Sequence, residues 1–339
     1  MKPLYQIYSD FPLIVFLSSS FFSTIIFLKF LIPLFVQLKF LDKPNNRSNH
    51  ILPVSLGGGL VLVPVIILAS YFYGYNWSSF NILALLFLFL ISIADDFKNV
   101  SAIYRLATHF FCIIIYVHFS LLDNIAIKQY LNQTYYIIFI YLFLVIGSTW
   151  FVNAFNFMDG IDGITTIQII FLTCSLIFFN FFLGLDYNIL HYCILGSALG
   201  FLVYNWHPAK IFLGDSGSIP LGFLMLYILA EFCVRGYWLA VLILPMYYLL
   251  DTSLTLCLRI WKREKFWQPH SQHFYQKAVR NGQSHQKVCF KIILLSIGLF
   301  IFSFLSILEK NNFIFLILSV VWCIFFLLNF SKQKTLIRK

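Results

Sequence analysis

Breaks in hydropathy divide the chain into eleven apolar runs, at 11–41, 56–74, 78–96, 103–120, 135–153, 164–184, 188–206, 218–234, 237–258, 288–308 and 313–330. Each is close to the roughly 20 apolar residues that a helix needs to cross a bilayer. The pattern predicts an all-α, polytopic membrane protein with about eleven transmembrane helices. The first run is too long for a signal-peptide core and shows no convincing cleavage site, so it is expected to be retained as a helix. No irregular stretch is long enough for a separate soluble domain, and 1–339 reads as one unit.

Charge assigns the two faces. One set of loops, with the C-terminal tail, carries eighteen of the 23 Lys and Arg residues. The opposite set carries only Lys2, Lys128, Arg235 and Lys310, and Lys29 lies inside the first run. Basic loops stay on the cytoplasmic side, which predicts an outside N-terminus, a cytoplasmic C-terminus and a bacterial cytoplasmic (inner) membrane location. Topology thus accounts for the net charge of +10, and no nucleic-acid partner is implied.

Composition agrees: 60% of residues are hydrophobic and 11% charged, about half the charge of a soluble domain. Seven cysteines stand singly in apolar surroundings and read as small hydrophobic fillers. His109, His118 and His191 lie in or beside apolar runs and read as structural. Gly196 and Gly200, four apart inside a run, read as a helix-packing face.

The unusual polar residues all fall on the face assigned to the cytoplasm. They are Asp42-Lys-Pro with Arg47, His50 and Gly57-Gly58-Gly59; Asp95-Asp96; Asn156-Phe-Met-Asp159-Gly160-Ile-Asp162-Gly163; Asn205 to Ser218, with Lys210, Phe212 and Asp215; and the basic loop 259–287, with His270 and His273. Five of the thirteen carboxylates, Asp95, Asp96, Asp159, Asp162 and Asp215, gather there from three parts of the chain. At mid-bilayer each would cost about 2.5–3.5 kcal/mol, so they belong at the interface or around a polar cleft. Clustered carboxylates repel one another unless a cation sits among them, and oxygen-only ligands favour Mg2+ (or Mn2+) over zinc. The glycine run either cradles phosphate or permits tight helix packing.

Taken in order, these blocks resemble the polyprenyl-phosphate N-acetylhexosaminyl-1-phosphate transferases, over roughly residues 42–287. The resemblance implies a cleft at the cytoplasmic face where Asp95, Asp96, Asp159 and His273 are catalytic and Asp215, with Asp159, holds the metal. It implies that Asn156, Asp159 and Asp162 line the same cleft, and that Gly160, Asp162, Asn205 and Phe212 lie near the uridine of the donor. Lys210, Arg105 and the histidine loop with His270 are candidates for the remaining phosphate charge, and Arg47 and His50, in what looks like the family's first loop, for substrate binding. The implied partners are a UDP-N-acetylhexosamine, undecaprenyl phosphate and membrane lipid, and a homodimer is compatible with it. The implied product begins O-antigen or a related lipid-linked glycan. His270-Ser-Gln-His273-Phe-Tyr departs from the three consecutive histidines of the peptidoglycan enzyme and looks closer to members that load N-acetylfucosamine or N-acetylquinovosamine. The alternatives are a phospho-N-acetylmuramoyl-pentapeptide transferase, a lipid-sugar transporter, and an intramembrane serine protease built on Ser216.

Overall fold

The computed structural model describes residues 4–44, 49, 52–98, 100–121, 134–265, 268 and 270–332, without the side chains of 4–11 and 134–137. Arg47 and His50 lie outside the described residues. Each of the eleven apolar runs is helical. The helices are α1 (Leu4–Gln37), α2 (Gly59–Phe72), α3 (Ser79–Lys98), α4 (Ala102–Tyr116, continued by a π-turn to Leu121) and α5 (Thr134–Met158). Then come α6 (Ile164–Phe182), α7 (Ile189–Asn205), α8 (Asp215–Val234), α9 (Trp238–Ile243), α10 (Met246–Trp261), α11 (Phe274–Arg280), α12 (His285–Leu308) and α13 (Ile314–Ser331). In hydrocarbon every backbone N–H and C=O must be satisfied within the segment, which is why uninterrupted apolar runs become helices here.

Eight of these helices are long and apolar enough to cross a membrane; α2 and α7 are apolar but shorter. The run 237–258, expected as one span, is broken into α9 and α10. Pro245 stands at the break; it lacks the N–H that would continue the ladder. The restarted α10 reaches Trp261, past the expected end.

Helix α8 is the most enclosed of the long helices and packs on α3, α5 and α2. Gly196 and Gly200 form the expected packing face on α7: a Cβ at Gly196 would lie 2.2 Å from the Leu17 carbonyl oxygen of α1. The glycine run also resolves toward packing, since a Cβ on Gly59 would stand 2.1 Å from the Gly217 nitrogen. Helices α2 and α8 therefore meet backbone to backbone at their N-terminal ends. A two-residue ladder, Leu41–Asp42 with Val54–Ser55, bridges onward to Ile211 and clasps the same end of the bundle.

Candidate active site

Four helix ends converge beside that clasp. The last turn of α3 supplies Asp95 and Asp96, the first turn of α4 supplies Arg105, the end of α5 supplies Asn156, and α8 begins on Asp215. Arg105 Nη1 donates to Asp95 Oδ2 and, at 2.7 Å, to Asp215 Oδ2. Asn156 Nδ2 donates to the other Asp215 oxygen at 2.7 Å and to Ser218 Oγ at 3.0 Å. Asp96 accepts the backbone N–H groups of Asp215 and Ser216 at 2.9 and 3.0 Å. A carboxylate at a helix N-terminus satisfies orphan donors and complements the helix dipole. Gly214 makes the close approach work: its φ is +74°, and a Cβ there would lie 2.7 Å from Asp96 Oδ2. The sequence-expected residues Asp95, Asp96, Asn156, Arg105 and Asp215 are thus brought together, with the Asp95 and Asp215 side chains 12% and 27% exposed.

Beyond the end of α5, Asp159 is half-buried. Burial pushes its carboxyl up to about 7, and the charges of Asp215 and Asp96 push the same way. Gly160 is covered by protein: a Cβ there would meet Tyr275 Oη at 2.2 Å, and its carbonyl accepts from Asn49 Nδ2 at 2.9 Å. Tyr275 Oη donates to the Phe157 carbonyl at 3.1 Å, which docks the short helix α11 on the end of α5.

The histidine loop is held by a residue absent from the sequence expectations. Asp251, fully buried in α10, accepts from Phe274 N–H at 3.0 Å, Tyr275 N–H at 3.3 Å and Thr255 Oγ1 at 3.2 Å, with His273 Nδ1 at 3.2 Å. It caps α11 and orients the His273 ring, which lies 6.4 Å from the Phe157 ring, centroid to centroid. A carboxylate inside an apolar run was the signal available for it. His270 stacks obliquely at 5.0 Å on His273, and burial, then the charges of His273 and Arg259, push its imidazole down to about 4.

Asp162 and Asn205 do not join the carboxylate group. Asn205 Oδ1 accepts from Gly163 N–H at 3.1 Å and Thr166 Oγ1 at 2.8 Å, while its Nδ2 donates to the Ile211 carbonyl at 3.0 Å. It fastens the loop before α6 to the loop before α8. Asp162 turns toward His207 and His285, with Nδ1 atoms at 2.5 and 3.1 Å, and accepts from Ala209 N–H at 3.2 Å. Burial alone would raise its carboxyl, but the hydrogen bond and charge of His285, then His207, hold it below the usual carboxylate range. Asp162, expected to line one cleft with Asn156 and Asp159, has its carboxylate engaged by two histidines. Phe212 is half-buried, and its carbonyl accepts from Gly58 N–H at 2.9 Å. Lys210 is exposed, with its ammonium 5.9 Å from the Tyr204 ring.

A family model described as glycosyl transferase family 4 matches residues 78–232, the stretch that contains Asp95, Asp96, Arg105, Asn156, Asp159 and Asp215. A probable undecaprenyl-phosphate N-acetylglucosaminyl 1-phosphate transferase of Bacillus subtilis is 25% identical over 318 residues, covering 88% of this chain and 86% of that protein. The chain belongs to glycosyl transferase family 4. A phospho-N-acetylmuramoyl-pentapeptide-transferase of Thermoanaerobacter sp. is 30% identical over 217 residues, 56% of this chain and 66% of that one. Another, of Streptococcus mutans, is 42% identical over 123 residues, a third of that protein.

Family 4 membership makes the chain a transferase of the phosphoglycosyl class and a multi-pass membrane protein. It leaves the serine protease and transporter alternatives without support. Ser216 is fully buried and its N–H is spent on Asp96. In chemical terms the cleft sets a guanidinium between carboxylates from two helices, with a carboxamide completing Asp215. Such a preorganised charge array suits reactions in which anionic groups must be brought together.

Proposed function

We propose that the chain transfers an N-acetylhexosamine 1-phosphate from a UDP-sugar to undecaprenyl phosphate, releases UMP, and so begins a lipid-linked cell-surface glycan such as O-antigen. The observation that carries this reading is Arg105 held between Asp95 and Asp215, with Asn156 on the remaining Asp215 oxygen. The near full-length likeness to the B. subtilis transferase supports the reaction class. In this reading the chain crosses the membrane eleven times, the N-terminus is outside, and the cleft opens at the cytoplasmic face of the bacterial inner membrane.

The carboxylate group suits a divalent ion. Its donors are all oxygens, as Mg2+ prefers, and Arg105 already marks a cation position between Asp95 and Asp215. Asp95, Asp159 and Asp215 would hold it, and when bound it would neutralise the donor diphosphate. An oxygen of the acceptor phosphate attacks the β-phosphorus, and the bond from that phosphorus to the bridging oxygen breaks. UMP leaves with the bridging oxygen and its electron pair. A phosphate monoester has a second pKa of about 6 and is largely dianionic at neutral pH, so a general base has little proton to remove. Arg105 is the group that can shift from carboxylate to phosphate as the anions arrive. His273, oriented through Asp251, stands on the loop that covers the end of α5.

Donor labelled at the β-phosphate tests the reading. Label should enter the lipid fraction, UMP should accumulate, and added UMP should return label to nucleotide sugar. Release of UDP with an unlabelled lipid would overturn it. The likeness to pentapeptide transferases keeps a second donor in view, UDP-N-acetylmuramoyl-pentapeptide, and a panel of UDP-sugars that includes it separates the two.

A further inference from the structure

We propose that Asp162, His207 and His285 form a transition-metal site of the zinc class, separate from the Asp95–Asp159–Asp215 carboxylates. The three come from the loop before α6, the loop before α8 and the first turn of α12. One ligand atom from each lies within 4.8 Å of the others.

The hydrogen bonds around His285 decide its tautomer. Nε2 lies 3.1 Å from the Asn49 carbonyl oxygen. A carbonyl only accepts, so the ring proton is on Nε2. In the neutral ring Nδ1 then carries a lone pair, and the Asp162 backbone N–H points at it from 3.4 Å. Yet Asp162 Oδ1 stands 3.1 Å from the same Nδ1. A lone pair facing a carboxylate is repulsive unless a cation sits between them or the ring takes a second proton. An imidazole whose outer nitrogen donates to a backbone carbonyl, with its inner nitrogen aimed at other ligands, is the arrangement by which proteins orient metal-binding histidines.

The remaining contacts fit the same role. Ala209 N–H holds Asp162 Oδ2 at 3.2 Å, and Gln286 Nε2 donates to the His207 carbonyl at 3.1 Å. Zinc bonds of about 2.0–2.2 Å in tetrahedral geometry set ligand atoms roughly 3.3 Å apart. The His285 spacing already matches. The His207 Nδ1 to Asp162 Oδ2 spacing of 2.5 Å has to open, and the His207 side chain, 38% exposed, has room to do so. Its exposure also leaves a fourth position for water. Two imidazoles with one carboxylate favour zinc-class ions over Mg2+. The ion would tie segments 45 and 123 residues apart in sequence around the Gly163–Asn205 joint.

The test uses untagged full-length protein in detergent. After removal of metal with a strong chelator and dialysis into saturating Mg2+, which occupies the carboxylate cleft, Zn2+ should still rebind at one equivalent and raise the melting temperature further. Co2+ in its place should give the visible absorption of a tetrahedral nitrogen–oxygen site. The double variant His207→Ala/His285→Ala should bind zinc more weakly by more than the roughly 10–100-fold that loss of an outer partner costs. His270→Ala should bind like wild type. Equal zinc binding by wild type and the double variant overturns the site. Should the variant fail to fold, the wild type decides alone: a chelator-treated protein that takes up no cobalt in tetrahedral form overturns the site.

Discussion

Asp96 accepts both leading backbone N–H groups of α8, from Asp215 and Ser216, and so joins the end of α3 to the start of the helix that carries the central carboxylate. Its two oxygens are engaged by the fold, whereas Asp95 meets Arg105 through one oxygen. The paired aspartates, equivalent in sequence, are therefore unequal in structure. Asp96→Ala should lower the unfolding free energy by about 0.5–2 kcal/mol, the usual worth of a helix cap, in addition to impairing transfer. Asp95→Asn should impair transfer with a smaller change in melting. Unchanged melting of Asp96→Ala would remove the capping role.

Metal dependence is expected of the carboxylate cleft. A chelator should abolish transfer, and Mg2+ or Mn2+ should restore it. Asp215→Asn should lose at least ~100-fold in rate, which corresponds to about 3 kcal/mol of barrier. Ser216→Ala should retain substantial activity. Full activity of Asp215→Asn at ordinary Mg2+ would count against its role as ligand.

Asp159 carries a pH signature. Its carboxyl is raised from 3.8 to about 7 in the folded protein, so the folded state holds the proton more tightly than the unfolded chain. Folding stability contributed at this position is therefore lost as pH rises from about 4 to about 7, and no further loss follows above that window. In chelator-treated protein, Asp159→Asn should melt higher than wild type near pH 8, with the advantage shrinking toward pH 5. A variant that melts no higher at pH 8 would mean the carboxylate is better solvated than the structure indicates.

The buried Asp251 should behave as a positioning residue. Asp251→Ala leaves the N–H groups of Phe274 and Tyr275 without their acceptor, and each buried orphan costs roughly 1–3 kcal/mol. Segment 262–273 should become more sensitive to protease, and transfer should fall by more than about tenfold, or 1.4 kcal/mol of barrier. A wild-type digestion pattern would show that α11 docks without it.

Sidedness can be read by cysteine labelling. Asn132→Cys should react with an impermeant reagent on intact cells, and Lys262→Cys only after permeabilisation. Lys262 is exposed, whereas Ser271 is buried and bonded by Arg280, which makes it a poor reporter. Labelling of Lys262→Cys from outside would invert the site assignment.

Much of the helical layout was legible because an apolar run of membrane length has few other options. Asp95, Asn156 and Asp215 were legible as a group because short polar motifs at one face of a bundle have to meet. The fate of Asp162 was not. Whether it turns toward Asp159 or toward His285 depends on how two loops and the start of α12 fold over one another, and neither periodicity nor charge counting encodes that. His285 itself sat at the edge of a basic loop, where nothing marked it. Asp251 was visible as an acid in an apolar run, but its partners lie on a loop whose docking only the packing of Tyr275 against Phe157 reveals. Pro245 marked the break between α9 and α10 in the same run.

The joint between Asp96 and α8 also bears on how the protein is made. The amides that Asp96 accepts lie 119 and 120 residues later in the chain. At a synthesis rate of about 5–20 residues per second, the carboxylate waits roughly 6–24 s for its partners. During that interval α3 has to enter the bilayer with an uncapped acid at its trailing end, which holds that end at the water boundary. The delay thus anchors an early helix at the depth its late partner will require.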